Sequence, residues 1–115
     1  RDLPGARIDL AQIATLEFYA PDPRRYPAIG IARAVMETGG CAGCVFNAAK
    51  EIALDGFLQD RIGFMDMSGI VEATLDAMSS EFSLTNPPTT LEDVLETDHM
   101  ARKTAWSLIE TRGAA

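Results

Sequence analysis

From Pro27 onward the apolar positions recur at spacings of three and four, the period of an amphipathic helix. Ile29, Ala32, Val35 and Met36 fall on one face, and Gly39-Gly40 stops the run. This predicts a first helix beginning at Pro27. An earlier start is also open, with Asp22 as N-cap and Pro23 at the first helical position. Pro27 would then sit inside the helix and remove a hydrogen bond, so the alternative is a short turn over 22–26. A second helix is predicted over about residues 43–59. Its stripe is Val45, Ala49, Ile52, Ala53 and Gly56, widened by Phe46, Phe57 and Leu58. So broad a stripe, with so many small residues, predicts close neighbours on more than one side. Gly63 breaks the pattern and Asp66 is the expected cap of a third helix, with Met67, Ile70, Val71, Leu75 and Met78 in helical register. "SSEFSLTNPPTT" reads as a loop. Thr89 with Glu92 fits a capping box opening a fourth helix, which runs to about Thr111. Leu91, Val94, Leu95, Ala101, Ala105, Leu108 and Ile109 mark its expected buried side. Glu92, Asp93 and Glu96 come early in it and Arg102, Lys103 and Arg112 late, as the helix dipole favours.

Residues 1–20 lack this period. They mix Pro, Gly and scattered aliphatics, and "TLEFYA" alternates briefly like a short strand. The stretch has too few apolar residues for a core of its own and reads as an extended segment lying on something else. The expected architecture is therefore all-α. An extended linker, residues 1–22, precedes a four-helix bundle-like domain, residues 23–115. An exposed apolar face is expected to include Ile13, Leu16 and Phe18.

Composition narrows the possible roles. The chain has 115 residues, 47% of them hydrophobic and 23% charged, the balance of one folded domain rather than a disordered tail. The net charge of -7, with Lys50 and Lys103 as the two lysines, argues against nucleic acid as a partner. No apolar run approaches the roughly 18 residues of a membrane span, so no membrane is expected either. "RDLPGARIDL" has no apolar core of a signal peptide, which predicts a cytoplasmic location. The first residue is Arg1 rather than Met, which predicts a processed, truncated or excised chain.

Candidate chemistry centres on Cys41 and Cys44, a C-x-x-C pair before the second helix. A thioredoxin-like site would need a strand before the pair, and here a helix and Gly-Gly precede it. A zinc site would need four ligands, and there is no second cysteine pair. The cysteines read as small, partly buried residues at a helix start, where the N-terminus could still lower a thiol pKa. An independent helical thiol or metal-binding protein using Cys41 and Cys44 is the alternative. His99, the only histidine, has Asp98 beside it and reads as a surface residue. Asn47 and Glu51 share a face at i, i+4, while Lys50 points elsewhere. The pair either meets a ligand or, as is commoner, caps a neighbouring loop or helix end. The remaining carboxylates match no metal-ligand spacing, and no phosphate-binding glycine loop is present. Trp106, Met65, Met67 and Met78 fit core or interface filling.

Several unlike motifs, in order, resemble the C-terminal region of the 1-deoxy-D-xylulose-5-phosphate reductoisomerase family. They are Ile8-Asp9-Leu10, Leu16-Glu17-Phe18, Pro21-Asp22, Tyr26-Pro27 and Asn47-Ala48-Ala49-Lys50-Glu51, followed by Phe57-Leu58, Ile62, Phe64 and Asp66. "TLEDVLETDHMAR" resembles the family's final helix. The similarity covers nearly the whole chain. Lys50 stands where the family has a second Asn, and Cys41 and Cys44 stand where it commonly has Thr or other small residues. The resemblance implies a parent enzyme that rearranges and reduces 1-deoxy-D-xylulose 5-phosphate to 2-C-methyl-D-erythritol 4-phosphate, for isoprenoids by the non-mevalonate route. It implies NADPH and a divalent metal (Mg or Mn) for the parent, a homodimeric parent, and earlier catalytic and NADPH-binding domains as partners of this part. By the same resemblance the family's catalytic, cofactor and metal residues lie in those earlier domains. No catalytic, cofactor-binding or metal residue is therefore expected in this chain, which is expected to be inactive alone and to support the active site structurally.

Overall fold

A computed structural model describes residues 3–81 and 83–113, which form five helices. These are α1 (Leu10–Ile13), α2 (Pro27–Thr38), α3 (Ala42–Leu58), α4 (Asp66–Glu81) and α5 (Leu91–Gly113). Among the described residues there is no strand, and the fold is all-α as expected. The expected spans 1–22 and 23–115 include Arg1, Asp2, Ala114 and Ala115, which lie outside the described residues, as does Phe82 in the expected loop.

The local sequence explains most helix boundaries. Of the two starts open for α2, the structure takes the later. Asp22 makes a turn, its side chain accepting from the Arg24 amide at 2.8 Å and its carbonyl from the Tyr26 amide at 2.9 Å. Pro27 then opens the helix, where its missing N–H costs nothing. Gly39 and Gly40 follow α2 at φ 67° and 53°, the left-handed region a helix end uses. The cap of α5 is Thr90, not Thr89. The Asp93 amide donates to Thr90 Oγ1 at 3.1 Å, and Asp93 Oδ2 accepts from the amides of Thr89 and Thr90 and from the Thr89 hydroxyl. Asp66 is the first residue of α4 rather than its cap. Its carboxylate accepts from the Gly63 amide at 2.9 Å and pairs with Arg112 at 3.3 Å, tying the start of α4 to the end of α5.

The core is built on small residues. Val35, Val45, Ala48, Met78, Leu84 and Ala101 form one buried cluster, and Ala49, Ala53, Ile70, Val71, Ala105 and Ile109 form another. Alanines let helix backbones approach closely, and Gly56 marks the closest approach. A β-carbon there would stand 2.8 Å from the end of Ile109, so the space that Gly56 leaves on α3 is filled by the Ile109 side chain of α5. The helices α3, α4 and α5 pack on one another, and α2 joins them against α3 and, less, α4. Among the described residues Thr74 has the fully buried hydroxyl, and it donates to the Ile70 carbonyl at 2.7 Å, which satisfies it within its own helix.

Several expected core positions lie at the surface. Ile29 is 42% exposed and Met36 81%; Leu58, Leu91 and Leu95 are exposed too. The apolar stripe of each helix is wider than the part its neighbours cover. "TLEFYA" forms no strand, because the described residues give its backbone no partner to pair with. Within the same stretch α1 is a single turn, capped by Asp9 Oδ1 accepting from the Ala11 amide at 2.9 Å. That helix touches none of the other four.

Candidate functional site

The cysteines are placed by the tight turn at Gly39-Gly40. There the Cys41 amide donates to the Leu84 carbonyl at 2.8 Å. Cys41 is buried at the N-cap of α3 and its thiol donates to the Asn86 carbonyl at 3.3 Å. Cys44, one turn on and half-buried, donates to the Val94 carbonyl at 3.6 Å. Neither cysteine is in a disulfide; Cys41 ties α3 to the segment leading into α5, and Cys44 ties it to α5 itself. Burial pushes the Cys44 thiol up from its ordinary value, with Asp98 and Cys41 adding to the rise against a smaller opposing effect of Arg102. For Cys44 this runs against the expectation that the helix N-terminus could lower a thiol pKa here. A raised pKa means less thiolate and a slower nucleophile. The alternative of a thiol or metal-binding protein finds no support in this geometry.

Asn47 and Glu51 do share a face, but they cap no loop. The Asn47 amide donates to Glu51 Oε1 at 3.3 Å, and Glu51 Oε2 receives Arg102 of α5 at 2.7 Å. Arg102 also holds Asp98 at 2.7 Å, so one guanidinium bridges two helices. Its bonds to Asp98 and then Glu51 raise its pKa. Its hydrogen bond and charge, with help from Asn47, hold the Glu51 carboxyl below its usual range. The network thus joins Asn47, Glu51, Asp98 and Arg102 across α3 and α5. His99 is exposed and lies outside it.

Among the described residues no group of three or more His, Cys, Asp or Glu converges as a metal site would require. The residues present therefore do not fit the divalent metal that the resemblance attaches to the parent. No helix among them is long and apolar enough to cross a membrane. Exposed apolar side chains mark a different surface. Leu3, Ile8, Leu10, Leu16, Phe18 and Tyr19 are each more than half exposed along the arm before α2, and Ile13 is 44% exposed. The arm has more large apolar side chains in the open than any helix of the bundle. Sequence reasoning found Ile13, Leu16 and Phe18. It missed the second exposed set, Tyr26, Leu54, Phe64 and Met65, because the helical period assigns apolar residues to a face without saying what covers it.

The fold and this surface have close counterparts. The model of the DXP reductoisomerase C-terminal domain matches residues 1–104, arm included. The 1-deoxy-D-xylulose 5-phosphate reductoisomerase of Jannaschia sp. (strain CCS1) is 72% identical over 103 residues, which are 90% of this chain and 26% of that protein. The same enzyme of Ruegeria pomeroyi is 56% identical over 103 residues, with the same shares. The solved structure of 1-deoxy-D-xylulose 5-phosphate reductoisomerase from Zymomonas mobilis, in complex with NADPH, superposes with a TM-score of 0.81 at 38% identity. That match covers 96% of this chain and 28% of that one. The chain thus spans about a quarter of the length of the relatives it matches. On the breadth of the family match and the level of identity, this chain belongs to the DXP reductoisomerase family, in its C-terminal domain.

Proposed function

We propose that this chain is the supporting, non-catalytic end of a longer 1-deoxy-D-xylulose-5-phosphate reductoisomerase. Residues 1–22 serve as the linker and residues 23–115 as the terminal helical domain. The parent converts 1-deoxy-D-xylulose 5-phosphate to 2-C-methyl-D-erythritol 4-phosphate with NADPH and a divalent metal, in the cytoplasm and as a homodimer. Its catalytic, NADPH-binding and metal residues lie in the part preceding this chain. The arm lies along those domains, and the bundle holds them from one side.

One observation carries this reading. The arm exposes a row of large apolar side chains and its single turn α1 touches no other helix, in a chain that matches only 26% of a relative's length. Apolar surface of this extent stays in water only at a cost, and a partner removes that cost. The mass of the natural gene product tests the reading. The account expects a polypeptide nearly four times the matched stretch, since 103 residues are 26% of the first relative. A gene product that ends at the size of this chain would refute it.

A further inference from the structure

The bundle carries a second exposed apolar surface, a groove of about 360 Å³ between the start of α2, the middle of α3 and the start of α4. Its volume lies at the lower end of the roughly 300–1,000 Å³ of small-molecule sites, which suits a single narrow ligand. The sequence of α3 shapes it. Phe46, Lys50, Ala53 and Leu54 fall on one face at helical spacing, and Ala53 is the small one among them. Buried Ala53 and Val71 form the floor, while Tyr26, Leu54, Phe64 and Met65 stand exposed around it. Phe57 meets Phe64 edge-on with ring centroids 5.8 Å apart, which orders that wall.

Charge decides what fits. Among the described residues that line the groove, the charged ones are Arg25 and Lys50, both cations, in a chain of net charge -7. Other arginines of the bundle are paired with carboxylates: Arg102 holds Glu51 and Asp98, and Arg112 holds Asp66. Arg25 instead has its guanidinium 5.8 Å from the centre of the Tyr26 ring, and among the described residues neither it nor Lys50 is in an ion pair. An apolar trough edged by two such cations is complementary to an anion with an apolar tail. The acidity of the whole chain works against an anionic lipid surface, so a free molecule fits better than a bilayer.

We propose that the groove binds one free single-chain amphiphile with an anionic head, a long-chain carboxylate. Lys50 and Arg25 receive the carboxylate, and Tyr26, Leu54, Phe64 and Met65 flank the tail above Ala53 and Val71. This goes beyond the supporting role proposed above and does not rest on it: the mass of the gene product bears on that role, and binding bears on this site. Laurate, kept below the concentration at which it forms micelles, is the probe. It is titrated into the natural gene product and, alongside, into the 115-residue chain. Calorimetry should show saturable binding of one laurate per chain in both. Maleimide labelling at Met65→Cys, read by peptide mass so that Cys41 and Cys44 stay in place, should slow severalfold with laurate; labelling at the exposed Lys103→Cys should not. Laurylamine, with the same tail and the opposite charge, should need about tenfold more to protect Met65→Cys. Butyrate, which keeps the head and loses most of the buried tail, should not protect it. With helicity unchanged, Lys50→Glu should weaken laurate about tenfold and Lys50→Gln about two- to fivefold. Equal protection by laurylamine, or unchanged laurate affinity in Lys50→Glu, would overturn the anionic head. Laurate binding without protection at Met65→Cys would overturn the groove. Binding by the 115-residue chain and not by the natural gene product would show the groove covered there and refute the ligand. Sedimentation of the protein with phosphatidylglycerol vesicles, abolished by Lys50→Glu, would assign the groove to a lipid surface and refute a free molecule.

Discussion

Gly40 is the residue on which the packing of the turn between α2 and α3 depends. A methyl group there would run into the carbonyl groups of Leu84 and Thr85, and the residue already has a φ of 53°. Backbone cannot step aside as a side-chain end can. Gly40→Ala should therefore cost about 2–3 kcal/mol, read as a lower midpoint in thermal or urea unfolding. An unchanged midpoint would refute the close approach. At the start of α5, Asp93 is held below the usual carboxylate range, first by the Thr89 hydroxyl and then by the amides of Thr89 and Thr90. A lowered folded pKa contributes stability that is present above the unfolded value and is lost as pH falls through the folded one. The wild-type midpoint should thus fall more steeply below pH of about 4 than that of Asp93→Asn; parallel acid limbs would contradict the assignment. The sequence could not place this cap to the residue. Thr89 and Thr90 are both good caps, and Glu92 favours the first, but the shorter Asp93 side chain gathers three donors and decides for the second.

The four long helices were legible in the apolar period, and so were the ends of α2, because Pro27 and Gly39-Gly40 act on the backbone directly. The coverage of their faces was not. Leu91 and Leu95 sit one turn apart on α5 and both are exposed, while Leu84, inside the expected loop, is only 6% exposed. Periodicity reports which face is apolar; burial depends on which neighbour the chain brings over it. The contrast gives a prediction for the elements. Met78 of α4 is fully buried within the first core cluster, so Met78→Ala should cost about 2–5 kcal/mol. Leu91→Ala, at an exposed position, should stay within about 0.5 kcal/mol in the 115-residue chain. Equal losses in urea unfolding would show that the two faces are covered alike.

The whole molecule is drawn out by its arm. The radius of gyration is 18.1 Å, where about 13 Å is usual for a compact chain of this length. Within the arm, α1 touches none of the other helices. The arm's apolar character was legible in Leu16 and Phe18, but an apolar groove on the bundle was not, since Tyr26, Leu54 and Met65 meet only in three dimensions. A molecule built this way has its packing in the alanine-lined interior and leaves an apolar face uncovered. The central claim is that the chain supports a nucleotide-dependent enzyme without carrying its chemistry. Titration of NADPH into the 115-residue chain and into the longer protein, followed side by side by calorimetry, tests this most directly. The account predicts a saturable isotherm for the longer protein and a flat one for the 115-residue chain; saturable NADPH binding by the 115-residue chain would contradict it.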